Sequence, residues 1–475
     1  MKLNLTPIYP ACLLLLAACT SNAQETALIP ETTQATIDGL IEQGLADDVG
    51  LKFVEDLTTE VGPRLAGSDA EARARDWAMR ELKELNFQQI YTEPFEIPYW
   101  QRVTETAEVT SPVPQNLIIT ALGGSAATPE GGVEAELIRF TDMTSLGAAD
   151  ASDVAGKIVF IDEMMTRTQD GSGYGVAVAK RRNCAAVTTE KGGVACLIRS
   201  VGTDHHRMPH TGMMARGEAT GPGPAAALSP PDADQLARLL TRGPVRVNVN
   251  IQVETKPSAP SGNVIAEIRG RSSPDEIVVM GCHLDSWDLG TGAIDDAAGC
   301  GIVVGAAKLI NDMDRNPRRT IRVILYGSEE VGLLGARAYA EAHADELANH
   351  VFAAESDFGA GKIWRFQTRF GEGALQYAEA MQAVLAPLGI TPDDNEAGGG
   401  PDLIPLRMGG VPVVTPGQNG LDYFDLHHTP DDTFDKIVPE DFRQNVAAYA
   451  AFIYLAAEMD WDFRAEASDE ETGTE

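Results

Sequence analysis

Positive charge is scarce in this sequence. Its 475 residues carry 37 lysines and arginines against 70 aspartates and glutamates, a formal net charge of −33. Neutralising phosphates needs clustered Lys and Arg, so no nucleic-acid partner is expected; the acidic excess favours solubility and says nothing about fold. Long apolar runs are equally rare. Beyond the leader, no stretch approaches the ~20 continuous apolar residues that cross a bilayer, so any membrane contact is expected through a lipid anchor alone. Cysteine is sparse, with six in all, and Cys12 and Cys19 belong to the leader or its end. Cys184 and Cys196, twelve positions apart, suit either a disulfide in an oxidising compartment or two buried thiols. Cys282 and Cys300 read as small core residues. No internal repeat is apparent.

What is present begins with an address. Residues 1–18 hold one early lysine, a short apolar run Ala11–Ala18 and small residues before Cys19, which fits a signal peptide. Leu16-Ala17-Ala18-Cys19 resembles the lipobox of bacterial lipoproteins, which implies cleavage before Cys19 and acylation of that residue. The alternative is an ordinary signal peptide cut after Ser21-Asn22-Ala23. Either way the mature chain is expected to be exported to the bacterial cell envelope, lipid-anchored or periplasmic.

The length exceeds the ~250–300 residues at which one hydrophobic core stops growing, so two domains or a large insertion are expected. Ile37–Asp56 and Asp69–Leu85 read as helices; in the second, Ala70, Ala74, Trp77, Ala78, Leu82 and Leu85 form one apolar stripe. FQQIYTEPFEIP then alternates like a strand. From 113 to 256 short β-like runs alternate with Gly/Pro/Ala-rich turns, and only DADQLARLL at 232–240 looks helical. This block reads as a separate, mostly-β insertion between the N-terminal part of a main domain (19–112) and its C-terminal part (257–463). From Asn263 apolar strands alternate with amphipathic helices, which predicts a three-layer α/β sandwich around a mostly parallel mixed sheet. A final helix over about Asp441–Met459 precedes an acidic tail, 464–475, expected to be disordered.

The acids are placed where such sheets bind ligands, beyond the carboxyl ends of strands. His283 and Asp285 follow IVVMGC, Glu329 and Glu330 follow IRVILYGS, and Asp357 ends VFAAESD. Asp295 and Asp296 sit in the next loop, just before a helix, and His428 comes from a downstream loop, DLHHTPDDT. Converging carboxylates cannot all ionise cheaply without a cation. Two histidines with three acids suit a pair of zinc ions better than Mg²⁺ or Ca²⁺, which prefer all-oxygen shells.

These five ordered blocks (HLD, GAIDDAAG, SEE, ESD and HHTPDD) resemble the signature of the co-catalytic zinc aminopeptidases, peptidase family M28. The text GCHLDSWD, the bridge segment GAIDDAAG and Pro209–Gly212 (PHTG) look closest to its carboxypeptidase Q branch, also called plasma glutamate carboxypeptidase. The similarity runs from about residue 40 to 460, and the insertion resembles a protease-associated domain. Carried over, the resemblance implies that Asp295 bridges two Zn²⁺, that His283 and Asp357 complete one and that Glu330 and His428 complete the other. It implies Glu329 as the general base acting on a metal-bridging water, Asp285 as the residue that orients His283, and a cis bond between Asp295 and Asp296. The histidine immediately before Thr selects His428, although His427 is adjacent.

The expected activity is hydrolysis of dipeptides or short peptides with a free carboxylate, by an exopeptidase acting as a homodimer. Rival readings on the same scaffold are an aminopeptidase on longer peptides, a glutaminyl-cyclase-like acyl transferase with one zinc, and a non-catalytic binding protein. The complete ligand set with an intact Glu329 disfavours the last two. Taken singly, the motifs are weak: HLD could be a surface pair, and Glu329-Glu330 a solvated helix start. Asp288 and Asp296 read as turn or cap residues. His205, His206 and His210 lie outside the five blocks and read as structural or pocket-lining. Gly398–Asp402 and Tyr423 suit a substrate pocket or plain loop chemistry equally.

Overall fold

The computed structural model describes residues 28–215 and 223–466. The leader with Cys19 and residues 467–475 of the acidic tail lie outside the described residues. Among the described residues one fourteen-stranded sheet runs through the molecule. At its centre Val413–Gln418, His350–Glu355, Ser273–His283, Arg319–Tyr326 and Arg246–Ile268 lie side by side in that order. The first four are mutually parallel, and the fifth is antiparallel to its neighbour.

The central strand Ser273–His283 shows how the sequence makes three layers. Its apolar run is buried on both faces, and alternate side chains serve different cores. Val278, Met280 and Cys282 pack with the helices Ala298–Asn311 and Pro439–Glu458. Ile277 and Val279 pack on the other side with Ala336, Tyr339, Leu403 and Leu406. The helices Ala298–Asn311 and Pro439–Glu458 are themselves buried along nearly their whole length. Gly50 and Gly301 permit their close approach to the N-terminal helices, since a side-chain carbon on either would overlap the other's carbonyl. The three-layer sandwich is therefore as the pattern predicts.

The N-terminal region differs in detail. The single helix expected over Ile37–Asp56 is two, Glu31–Gly44 and Val49–Asp56, broken at Leu45–Asp48; the next runs Asp69–Glu84, capped by Ser68. The strand predicted from Phe87 extends much further, as Gln89–Ser111. It pairs antiparallel with Arg246–Ile268 from Gln89↔Glu267 to Ser111↔Arg246, a long ribbon that carries the insertion.

The insertion is not mostly β. Its strands Val133–Phe140, Ile158–Ile161, Ala195–Arg199 and Ala225–Leu228 are parallel in sequence order, and helices Met143–Ala148, Ser172–Glu190 and Pro230–Leu240 accompany them. The nineteen-residue helix Ser172–Glu190 escapes a hydrophobicity reading because its inner face buries Lys180, Arg181 and Thr188 beside Ala177 and Cys184. The pair Cys184–Cys196 is disulfide-bonded, joining this helix to a strand. Cys282 and Cys300 are bonded too, rather than being two small core thiols, and link the end of the central strand to the helix Ala298–Asn311.

Candidate active site

The register of the sheet brings the acids together. Tyr326 pairs with His283 and Glu355 with Gly281, so three parallel strands end at one level and release Asp285, Glu329, Glu330 and Asp357 at the same edge. The peptide between Asp295 and Asp296 is cis. Asp296 turns away from the cleft, fully buried, and accepts the N–H groups of His283 at 3.1 Å and Gly299 at 3.0 Å, a capping role. Asp288 pairs with Arg102.

Asp295 occupies the middle. Its Oδ1 lies 3.0 Å from His283 Nε2 and its Oδ2 lies 3.2 Å from His428 Nε2. Asp357 Oδ1 is 3.4 Å from the same His283 nitrogen, and Glu330 Oε2 is 3.0 Å from the same His428 nitrogen. Two sets thus form, His283 with Asp357 and His428 with Glu330, each completed by one oxygen of Asp295. His427 stacks on His428 with ring centroids 3.5 Å apart, and its Nε2 is 3.6 Å from Asp295 Oδ2.

The hydrogen bonds fix how these rings present themselves. His283 Nδ1 is 2.9 Å from the carbonyl of Asp285, and His428 Nδ1 is 3.2 Å from the carbonyl of Thr211. A carbonyl only accepts, so the Nδ1 of His283 carries its proton; His428 Nδ1 also has Arg181 Nη1 at 3.4 Å, and the shorter carbonyl contact assigns it a proton too, so that each ring, once neutral, offers a lone pair at Nε2. Those lone pairs face carboxylate oxygens, which are also acceptors. Acceptors opposed to acceptors call for a cation between them, and Glu330 Oε1, buried without a partner, adds another. The donor set therefore fits zinc. His283 is oriented by the backbone of Asp285 rather than by its carboxylate, which stands 3.7 Å from Nδ1. That carboxylate instead accepts the N–H of Glu329 at 3.0 Å.

The electrostatics agree. Burial pushes Glu329, Glu330 and Asp357 above the usual carboxylate range, and for Glu330 the charge of Asp295 adds to it. Burial opposes protonation of His283, but the charge of Asp357 and the contact with Asp295 outweigh it and hold the imidazole well above its ordinary value, so this ring keeps a second proton unless a cation takes its place. Burial likewise opposes ionisation of Asp295, yet hydrogen bonds from His283 and His428 hold it well below. The basin carries more negative charge than its histidines balance.

Two residues escaped the sequence reading. Arg64, fully buried, donates to the carbonyls of Leu284, Thr291 and Gly292, clamping both ends of the loop between His283 and Asp295. Nothing in GPRLAG marks an interior arginine. Asp432, the second acid of HHTPDD, accepts the N–H groups of Ile294 at 2.6 Å and Asp295 at 3.2 Å. Its place in the last block was the available signal.

Asp295, Glu329, Glu330, Asp357 and His428 line a cleft of about 920 Å³. The insertion supplies Tyr174, Arg181 and Met213 to its wall, and Gly398, Gly400 and Tyr423 complete another side, so the GGGPD loop and Tyr423 are pocket-lining. His205 and His206 are exposed, and His210 is buried outside the cleft.

The model of peptidase family M28 matches residues 263–453. Carboxypeptidase Q from Bos taurus is 31% identical over 426 residues, covering 90% of this chain and 89% of that one. The crystal structure of a peptidase M28 precursor from Shewanella amazonensis superposes with a TM-score of 0.90 at 46% identity, over 92% of this chain and 99% of that chain. A zinc aminopeptidase from Bacillus subtilis shares the fold, with a TM-score of 0.65 at 20% identity over 88% and 98% of the two chains. The chain therefore belongs to peptidase family M28, on the carboxypeptidase Q branch.

Proposed function

We propose that this metallopeptidase holds two zinc ions and acts as an exopeptidase on dipeptides or short peptides. The observation that carries this reading is the position of Asp295, whose two carboxylate oxygens face two different histidine–carboxylate pairs. His283 and Asp357 would hold one ion, His428 and Glu330 the other. When bound, zinc supplies a Lewis acid that polarises the scissile carbonyl and lowers the pKa of water.

The remaining chemistry belongs to the chain. Glu329 lines the cleft and its main-chain N–H is held by Asp285; its carboxylate is the one we assign as the general base. It takes a proton from the attacking water and returns it to the leaving amine. Arg337 and Arg407 line the same cleft, and among the described residues neither guanidinium pairs with a carboxylate. They are suited to receive the free carboxylate of a short peptide, which favours the dipeptidase reading over an aminopeptidase on long chains.

An exported enzyme, lipid-anchored at Cys19 or periplasmic, is part of this proposal; the disulfide pairs suit an oxidising compartment. The test is Glu329→Gln with zinc counted. Retained zinc with activity down by about 10²–10⁴-fold is expected. Full activity in that variant, or hydrolysis of aminoacyl-anilides with none of a dipeptide series, would refute the reading.

A further inference from the structure

We propose that His210 and Thr211 of the insertion, backed by Asp204, are positioning residues for the metal ligand His428, so that the second metal position is built jointly by the insertion and the core. This rests on the two-zinc reading above.

The two ligand histidines are braced differently. His283 sits at the end of a sheet strand, and its Nδ1 proton goes to the carbonyl of Asp285 in its own loop. His428 sits in a loop with a left-handed backbone, φ 61°, which a non-glycine residue keeps only when its surroundings impose it. Those surroundings come from the insertion. Thr211 donates its N–H to the His428 carbonyl at 3.1 Å and its own carbonyl lies 3.2 Å from His428 Nδ1, nearer than Arg181 Nη1 at 3.4 Å, so one peptide unit on either side of Thr211 grips both backbone and ring. His210 Nδ1 donates to the carbonyl of His427 at 2.7 Å.

This grip is anchored in depth. His210 Nε2 lies 2.7 Å from Asp204 Oδ1, and Asp204 Oδ2 accepts the N–H of His206 at 2.7 Å. The N–H of His210 donates to Ser200 Oγ, which donates to the Leu228 carbonyl on an insertion strand. Thr211 Oγ1 donates to Ala121 and accepts from Arg102. His210 and Thr211 are buried, and Gly202 lies so close to the His210 ring that any side chain there would overlap it. The adjoining loop is held likewise, with Thr203 donating its N–H to Phe424 and its hydroxyl to Asp425. None of these groups touches the cleft chemistry directly. Their effect is to keep the His428 lone pair aimed between Asp295 and Glu330.

The experiment is zinc titration of the metal-free, full-length protein against a chromophoric chelator, with no activity readout. Wild type should take up two ions. His210→Ala and His210→Gln should weaken one of them by about 10–100-fold and leave the other unchanged. Glutamine places its amide nitrogen near Nε2, toward Asp204, whereas asparagine places it near Nδ1, toward the His427 carbonyl. His210→Asn should therefore bind the second ion more tightly than His210→Gln, though less tightly than wild type because it cannot reach Asp204, a distinction that a general packing defect would not make. Should the His210 variants fail to fold, Asp204→Asn is read the same way and should weaken the same single ion. Wild type binding two ions while these variants bind both as tightly, or weaken both equally, overturns the inference alone. Wild type binding fewer than two overturns the metal reading beneath it as well.

Discussion

The carboxylate of Asp285 accepts the main-chain N–H of Glu329 at 3.0 Å, although the two residues end different strands. It is buried, and its other oxygen has no partner among the described residues. Asp285 thus ties the peptide carrying the proposed base to the loop that orients His283. Asp285→Ala should lower kcat/KM by about 10–100-fold, with most of the loss in kcat. Steady-state kinetics on a dipeptide with zinc counted in parallel will decide; unchanged kinetics would remove Asp285 from the site's support.

Arg407 offers a second measurement. Its guanidinium lines the cleft, and its Nε is buried without a partner. Arg407→Gln should raise KM for dipeptides with a free C-terminal carboxylate by about tenfold, the worth of one charge-assisted hydrogen bond, and leave their C-terminal amides unaffected. Equal effects on acid and amide substrates would place the carboxylate elsewhere.

Zinc uptake should release protons. Burial holds Glu330 and Asp357 above the usual range, and the surrounding acids hold His283 well above its own. Each must lose its proton to become a ligand, so zinc affinity should rise as pH increases from about 5 to 8. Calorimetry in two buffers of different ionisation enthalpy measures the released protons directly. Identical heats in both would contradict the charge state inferred for the basin.

Far from the cleft, His350 gives a stability prediction. It is buried between the Tyr339 hydroxyl at 2.8 Å and the Glu346 carbonyl at 3.0 Å, and burial pulls its pKa down from 6.5 to about 4. The unfolded chain takes up this proton near pH 6.5 and the folded chain only near 4, so more protons are bound on unfolding across that window. Stability should therefore be whole above pH 6.5 and decline as pH falls toward 4, by about 3 kcal/mol at most from this residue. Urea unfolding at pH 7 and pH 4.5 tests it; His350→Gln should flatten the difference.

Much of this molecule is legible before folding because the signals are local. The run IVVM at 277–280 can only be a strand buried on both faces, and its alternation assigns residues to the two cores on either side. Acids following three such runs must emerge at one edge once the strands are parallel. The helix Ser172–Glu190 was not legible, because its buried Lys180 and Arg181 erase the apolar stripe on which periodicity depends. The bond between Cys282 and Cys300 was equally hidden, since a separation of 18 positions does not specify that strand end and helix start meet.

Local chemistry along the chain thus settled which groups could serve a metal centre and on which elements they stand. Folding settled which oxygen of Asp295 meets which imidazole, that the Asp285 backbone rather than its carboxylate orients His283, and that Thr211, 217 residues before His428, receives its ring proton. The division has a physical cause. Propensity and periodicity act over a few residues, whereas a hydrogen bond between distant segments exists only after both have been packed into place.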